Sequence, residues 1–185
     1  VKMIREENIR MLAQVENVLR ISQLDRSKEP IQKKPLDLNQ VIQDAISHIQ
    51  LILKDKSGVL KTNLKAENFH VLGNKNHMTN VVVNLLDNAV KYCDKNPKVE
   101  IETLNEDNDF LLRVKDNGIG MTPVIQKKVF DKFYRATSGD IHNVKGHGLG
   151  LAYVKKIVDL HKGQIYLESK NGIGTTFTLR IPIEN

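Results

Sequence analysis

The chain lacks several features that usually reveal a function. It has one cysteine, Cys93, so no internal disulfide can form. No Cys/His cluster has zinc spacing. A lone cysteine of this kind reads as a small buried or half-buried filler. No apolar run approaches the ~18 residues needed to span a bilayer, and nothing resembles a signal peptide. Aromatic residues make up only 5% of the chain, and the 28 lysines and arginines are spread along it. A dense basic stripe or an RNA-type aromatic signature is therefore missing, which argues against nucleic acid as a partner. The formal net charge of +6 suits a small polyanionic ligand equally well. No long-range repeat or low-complexity segment is present.

What is there is the composition of a globular protein, with 40% hydrophobic and 27% charged residues. A length of 185 residues fits one compact domain plus an appendage. The chain begins at Val1 rather than Met, which suggests a fragment. Val1 to about Arg26 reads as one long helix, because Val1, Ile4, Asn8, Met11, Val15, Val18 and Ser22 follow a heptad. Such a stripe needs a partner helix from a second copy or from upstream sequence, or must pack on its own domain.

Ser27 to Pro35, with two prolines, is the best linker candidate. A helix then opens, capped by Asp37 or Asn39, with Val41, Ile42, Ala45, Ile46, Ile49 and Leu53 as its apolar face. Strands are predicted at Val59 to Leu64, Phe69 to Leu72, Val99 to Leu104 and Phe110 to Val114. Asp116 to about Gly150 is a long segment rich in glycine and lysine, with a short amphipathic piece at Val124 to Phe133. A helix follows from Leu149 to His161, and Gly163 stands where a helix C-terminus favours a left-handed residue. Gln164 to Glu168 and Thr175 to Ile183 complete a mixed sheet with helices on one face.

The rest is organised around the helix from about Lys75 to Tyr92. Val81, Leu85 and Ala89, with Val82, Leu86 and Val90, make a broad apolar face. Asn84, Asn88 and Lys91 line one stripe on it. Amide oxygens suit a hard cation and an ammonium suits a phosphate. The same three residues would also suit the wet edge of a helix. Asp116-Asn117-Gly118-Ile119-Gly120 comes straight off a strand, and its carboxylate could accept from an exocyclic amine, or the motif could be a plain turn. Gly146-His147-Gly148-Leu149-Gly150 precedes a helix and reads as a phosphate cradle or a capping turn. Gly172-Ile173-Gly174-Thr175 fits a hairpin turn.

In order and spacing these segments resemble the ATP-binding catalytic domain of sensor histidine kinases. That domain belongs to the superfamily that also holds type II topoisomerases, heat-shock chaperones and mismatch-repair ATPases. The N box is Asn84 to Tyr92 and the first glycine box is Asp116 to Gly120. Phe130 to Arg135 is the F box, Gly146 to Gly150 the second glycine box, and Gly172 to Thr175 the last. The resemblance implies an α+β fold, a two-layer Bergerat-type sandwich preceded by one long helix. It divides the chain into residues 1–30, the second helix of a dimerisation hairpin; a linker at 31–35; and an ATP-binding domain at 36–185.

It further implies a ligand and roles. Asn88 and Asn84 would hold Mg²⁺ beside ATP. Lys91 would contact phosphate, and Tyr92 would pack on the adenine or ribose. Asp116 would accept from the adenine amino group, with Gly118 and Gly120 shaping that pocket and Thr175 assisting through a water. Gly148, Leu149 and Gly150 would serve the phosphates, as could Lys145, Gly146 and His147, while Phe130 and Phe133 would anchor a lid. The implied partners are a second copy, through the N-terminal helix, and a response-regulator receiver domain. The implied location is a cytoplasmic domain, and membrane anchoring of its parent is left open.

Two absences refine this. ATP hydrolases of the superfamily place a glutamate base four residues before the metal-binding Asn, and here that position is Asn84, which cannot take a proton. None of His48, His70, His77, His142, His147 or His161 is followed by the acidic residue and proline typical of a phosphoacceptor. The fragment is therefore expected to bind ATP·Mg²⁺ without phosphorylating itself.

Overall fold

The computed structural model describes residues 31–93, 96–135 and 148–183. The helix expected over Val1 to Arg26 lies outside them, as do Lys145, Gly146 and His147. The described elements in chain order are β1 (Lys34–Asp37), α1 (Leu38–Asp55), β2 (Val59–Leu64), β3 (His70–Gly73), α2 (Lys75–Lys91), β4 (Lys98–Glu106) and β5 (Asp109–Asp116). Then come α3 (Pro123–Lys128), α4 (Gly150–Leu160), β6 (Gln164–Lys170) and β7 (Gly174–Pro182).

Five strands form one sheet in the order β2-β4-β5-β7-β6. The β2–β4 pair is parallel and the other three pairs are antiparallel. The sheet is mixed because β2 reaches β4 by a crossover through α2, whereas the later strands follow one another through turns. One face is apolar, with Ile101, Phe110, Leu112, Val114, Phe177 and Leu179 all buried. The expected faces of α1 and α2 cover it: Val41, Ile42, Ala45 and Ile49 are buried, as are Val81, Leu85, Leu86 and Val90. Each helix is fixed at its start by its own side chain. Asp37 accepts from the Gln40 amide at 3.0 Å, and Asn74 accepts from the His77 amide at 3.1 Å.

Three local expectations change. Lys34 and Pro35, assigned to the linker, lie in β1, which pairs antiparallel with β3 as a small separate sheet. Proline is tolerated there because the strand has only one partner. The amphipathic piece after Val124 is helical only to Lys128, and none of its residues is buried. Gly163 is not the left-handed residue at the end of α4; Lys162 is, at φ 57°. The Gly163 amide instead closes the helix end on the Val158 carbonyl at 2.9 Å. A Cβ at Gly163 would come within 2.5 Å of the Arg180 carbonyl, so close packing on β7 demands the glycine.

His161 ties the far end of α4 to the start of α2. Nδ1 lies 2.7 Å from the Ile157 carbonyl and Nε2 lies 3.2 Å from the Asn74 amide. A carbonyl only accepts and an amide only donates, so the ring is neutral with its proton on Nδ1. Burial, the largest influence, holds its pKa below the usual histidine value.

Candidate functional site along helix α2

At one end of the site, the last residue of β5 faces the first residues of β7. Asp116 pairs with Thr175 across the ladder, and Thr175 pairs with Ser169 of β6. Opposed residues share a face, so this row of three lies on the helix-covered side, in line with Val114 and Phe177 two residues away. Asp116 Oδ1 accepts from the Gly118 amide at 2.8 Å and from the Thr175 amide at 3.2 Å. Burial raises the Asp116 pKa above the usual carboxylate value, and the two amides pull against that rise. Among the described residues no donor reaches Oδ2, which leaves one carboxylate oxygen to meet a ligand.

The loop after Asp116 is fastened to both neighbours. The Ile119 amide donates to the Tyr92 carbonyl at 3.0 Å, and the Gly172 amide donates to the Ile119 carbonyl at 2.7 Å. Gly118 lies against the end of α2, and Gly120 lies against the Lys170 carbonyl, where a side chain would overlap. Asn117 turns outward to accept from the Lys98 amide at 2.7 Å. Cys93 is buried with Sγ 3.5 Å from Asn117 Oδ1, so the filler role holds.

At the other end, α2 meets the start of α4. Asn84 Nδ2 donates to the Asn80 carbonyl at 2.7 Å, which turns Oδ1 toward Gly150. A Cβ at Gly150 would lie 2.6 Å from that oxygen. Leu149, the residue before α4, is buried and supplies no side-chain cap to the helix amides. Asn88 lies half-buried one turn beyond Asn84, and Lys91 follows, its Nζ 5.4 Å from the centre of the Tyr92 ring. Burial lowers the Lys91 pKa, Arg135 lowers it further, and Asp87 opposes both. Burial raises the Tyr92 pKa, and Arg135 opposes that rise. Lys91, Tyr92 and Arg135 are thus gathered at one place.

The two expected lid anchors behave differently. Phe130 is half-buried and meets Phe177 edge to face, with centroids 6.4 Å apart. The Phe133 side chain is 64% exposed. Its backbone is held instead, the Phe133 amide donating to the Gly148 carbonyl at 2.9 Å. The structure also brings in residues with no sequence signal of their own: Ser169 and Gln126. Only pairing register and loop closure put them at the site.

From Asn84 to Tyr92 the helix rises about 12 Å, so one face of α2 runs from the carboxylate end, with Tyr92 and the Lys91 ammonium beside it, to the Asn84 amide end. Residues 73–185 match the family described as Histidine kinase-, DNA gyrase B-, and HSP90-like ATPase. The chain is similar to the sensor protein RprX of Bacteroides fragilis strain YCH46, with 44% identity over 97% of this chain and 35% of that one. It is also similar to the sensor protein kinase WalK of Staphylococcus haemolyticus strain JCSC1435, with 34% identity over 97% of this chain and 30% of that one. The chain spans about a third of the length of these relatives. In fold it is similar to full-length ShkA in complex with AMPPNP, with a TM-score of 0.84 at 21% identity over 98% of this chain and 37% of ShkA. The chain belongs to the histidine kinase-, DNA gyrase B- and HSP90-like ATPase family and is homologous to the ATP-binding domains of sensor histidine kinases.

Proposed function

We propose that this chain is the catalytic region of a two-component sensor histidine kinase and that it binds ATP·Mg²⁺ along α2. The observation that carries this reading is the continuity of one helix face. At its C-terminal end Tyr92 is bonded to the Asp116 loop, and eight residues back Asn84 abuts the start of α4.

The base end is built to receive a donor. Asp116 presents Oδ2 toward an exocyclic amine, and a keto oxygen at the same position would face a carboxylate. Tyr92 offers its ring beside the base or sugar. At the phosphate end, Lys91 and the amides at the start of α4 supply positive potential. Arg135 adds to it.

The donor set at this end fits a hard cation. Asn84 and Asn88 offer neutral amide oxygens on one stripe, and the hydrogen bond to Asn80 leaves the Asn84 oxygen as the atom turned toward Gly150. These two residues would hold Mg²⁺, which when bound neutralises phosphate charge. Every other contribution comes from positioning, with the row at the sheet end orienting the base. In the full protein the γ-phosphoryl passes to a histidine on the dimerisation helix and then to a response-regulator aspartate. None of the chain's six histidines has the acceptor context, so these residues alone do not phosphorylate themselves. Dimerisation through the N-terminal helix belongs to the same reading.

Calorimetry with a non-hydrolysable ATP analogue tests it. Binding that strengthens with Mg²⁺ supports the assignment; no binding with or without the metal would sink it. Steady phosphate release in a turnover assay would point instead to a hydrolysing clamp. Adding back an upstream helix with its histidine should yield acid-labile label on that residue.

A further inference from the structure

We propose that Ser169 is a positioning residue that fixes the Thr175 hydroxyl as an acceptor toward the base, and so helps set which purine the site takes. The inference rests on the nucleotide reading above and follows from counting protons.

Ser169 Oγ touches three polar atoms. The Met121 amide lies at 2.9 Å, the Gly174 carbonyl at 2.9 Å and Thr175 Oγ1 at 2.9 Å. An amide can only donate and a carbonyl can only accept. The single Ser169 proton therefore goes to Gly174, and one lone pair takes the Met121 amide. The remaining lone pair can be matched only by the proton of Thr175. With that proton committed, Thr175 Oγ1 turns lone pairs alone toward the site.

The neighbouring group has the same polarity. Asp116 Oδ1 is filled by the Gly118 and Thr175 amides, and Oδ2 is a pure acceptor. Two adjacent acceptors in one strand row demand donors from whatever edge they meet. The 6-amino group of adenine carries two N–H donors and satisfies both, directly or through a water; in a 6-keto purine the group at that position is an acceptor and meets them lone pair to lone pair, the one donor of that edge being N1–H.

The network is also held from outside the row. Gln126 Nε2 donates to the Met121 carbonyl at 2.9 Å and to the Ser169 carbonyl at 2.9 Å. That bridge keeps the Met121 amide on Ser169, so the hydroxyl cannot easily rotate to a different assignment. Thr175 is 6% exposed, so bulk water does not compete with Ser169 for its proton.

The test compares ADP with inosine diphosphate on the 185-residue chain by calorimetry, with thermal melting beside it. In Ser169→Ala the Thr175 proton is released and can donate to a keto oxygen. The ADP preference should then fall about fivefold, the worth of one net hydrogen bond. Ser169→Thr keeps the hydroxyl and should restore the wild-type ratio. Thr175→Val should lower the ratio by itself, and adding Ser169→Ala to it should change the ratio no further.

A merely structural serine would weaken both nucleotides alike and lower the melting temperature, with the ratio unmoved; that result overturns the proposal. So does a double variant whose ratio falls below that of Thr175→Val. A wild-type chain that binds no adenine nucleotide overturns the nucleotide reading and this inference together. Wild-type binding with an unchanged ratio in Ser169→Ala overturns only the inference.

Discussion

The two ends of the α2 site are organised on opposite principles. At the base end the positioning hydrogen bonds among Asp116, Thr175, Ser169, Gly118 and Met121 are already made, and Asp116 Oδ2 and the Thr175 lone pairs are left for the ligand. At the phosphate end like charges are brought together instead. Lys91 is partly desolvated beside Arg135, and α4 starts without a side-chain cap. A finished network costs no ordering when the ligand arrives, so it supplies selectivity. Positive potential from Lys91 and Arg135, which Asp87 opposes, favours a phosphate and so supplies affinity.

The largest expected effect falls on the phosphate end. Asn88→Ala should remove the Mg²⁺ dependence of binding and lower affinity in metal about a hundredfold, since a bound divalent ion is the largest local charge at such a site. Titrations with and without Mg²⁺ that still differ by the wild-type amount would refute the ligand assignment. Next comes the base end. Asp116→Asn should cost adenine nucleotides ~1–3 kcal/mol, because a hydrogen bond to a charged group is lost. GTP should lose less, so the preference for ATP should collapse; an unchanged preference would break the comparison.

Lys91→Met sharpens it from the other side. Nucleotide affinity should drop about tenfold, or about 1.4 kcal/mol. The empty protein should gain stability, because the desolvation of Lys91 and its repulsion from Arg135 outweigh the attraction of Asp87. That gain is a few tenths of a kcal/mol after solvent screening, or about 1–2 °C in Tm. No base-end substitution should show this opposition between affinity and apo stability.

The smallest effect is in proton linkage. Burial raises the Asp116 pKa in the empty fold. The apo protein therefore holds that proton more tightly than the unfolded chain does. The stability this contributes is complete below the ordinary carboxylate value and is lost as pH rises through the raised one. Binding an amine donor favours the ionised form, so nucleotide binding should release protons in that window and tighten as pH rises. Calorimetry in two buffers of different ionisation enthalpy measures the release. Asp116→Asn should abolish its share; equal release from both proteins would remove Asp116 from the account.

Much of this was legible in the sequence, because it depends on local periodicity and spacing. The apolar positions of α1 and α2 recur at helical intervals, and their burial followed. Asn84, Asn88, Lys91 and Tyr92 share a helix face by arithmetic, and Asp116 ends a strand that alternates from Leu112 onward. Capping was local as well: Asp37 and Asn74 each bond an amide three residues on.

Tertiary structure decided what register and packing decide. Pro35 became part of a strand because β3 lay in reach to pair with it. Gly163 proved to serve a close approach to Arg180 rather than a left-handed turn, since Lys162 took that conformation. The Ser169–Thr175–Asp116 row joins residues up to 59 apart in sequence. No propensity encodes such a row; it exists only because three strands pair in one register, and a slip of a single residue would turn its side chains to the opposite face.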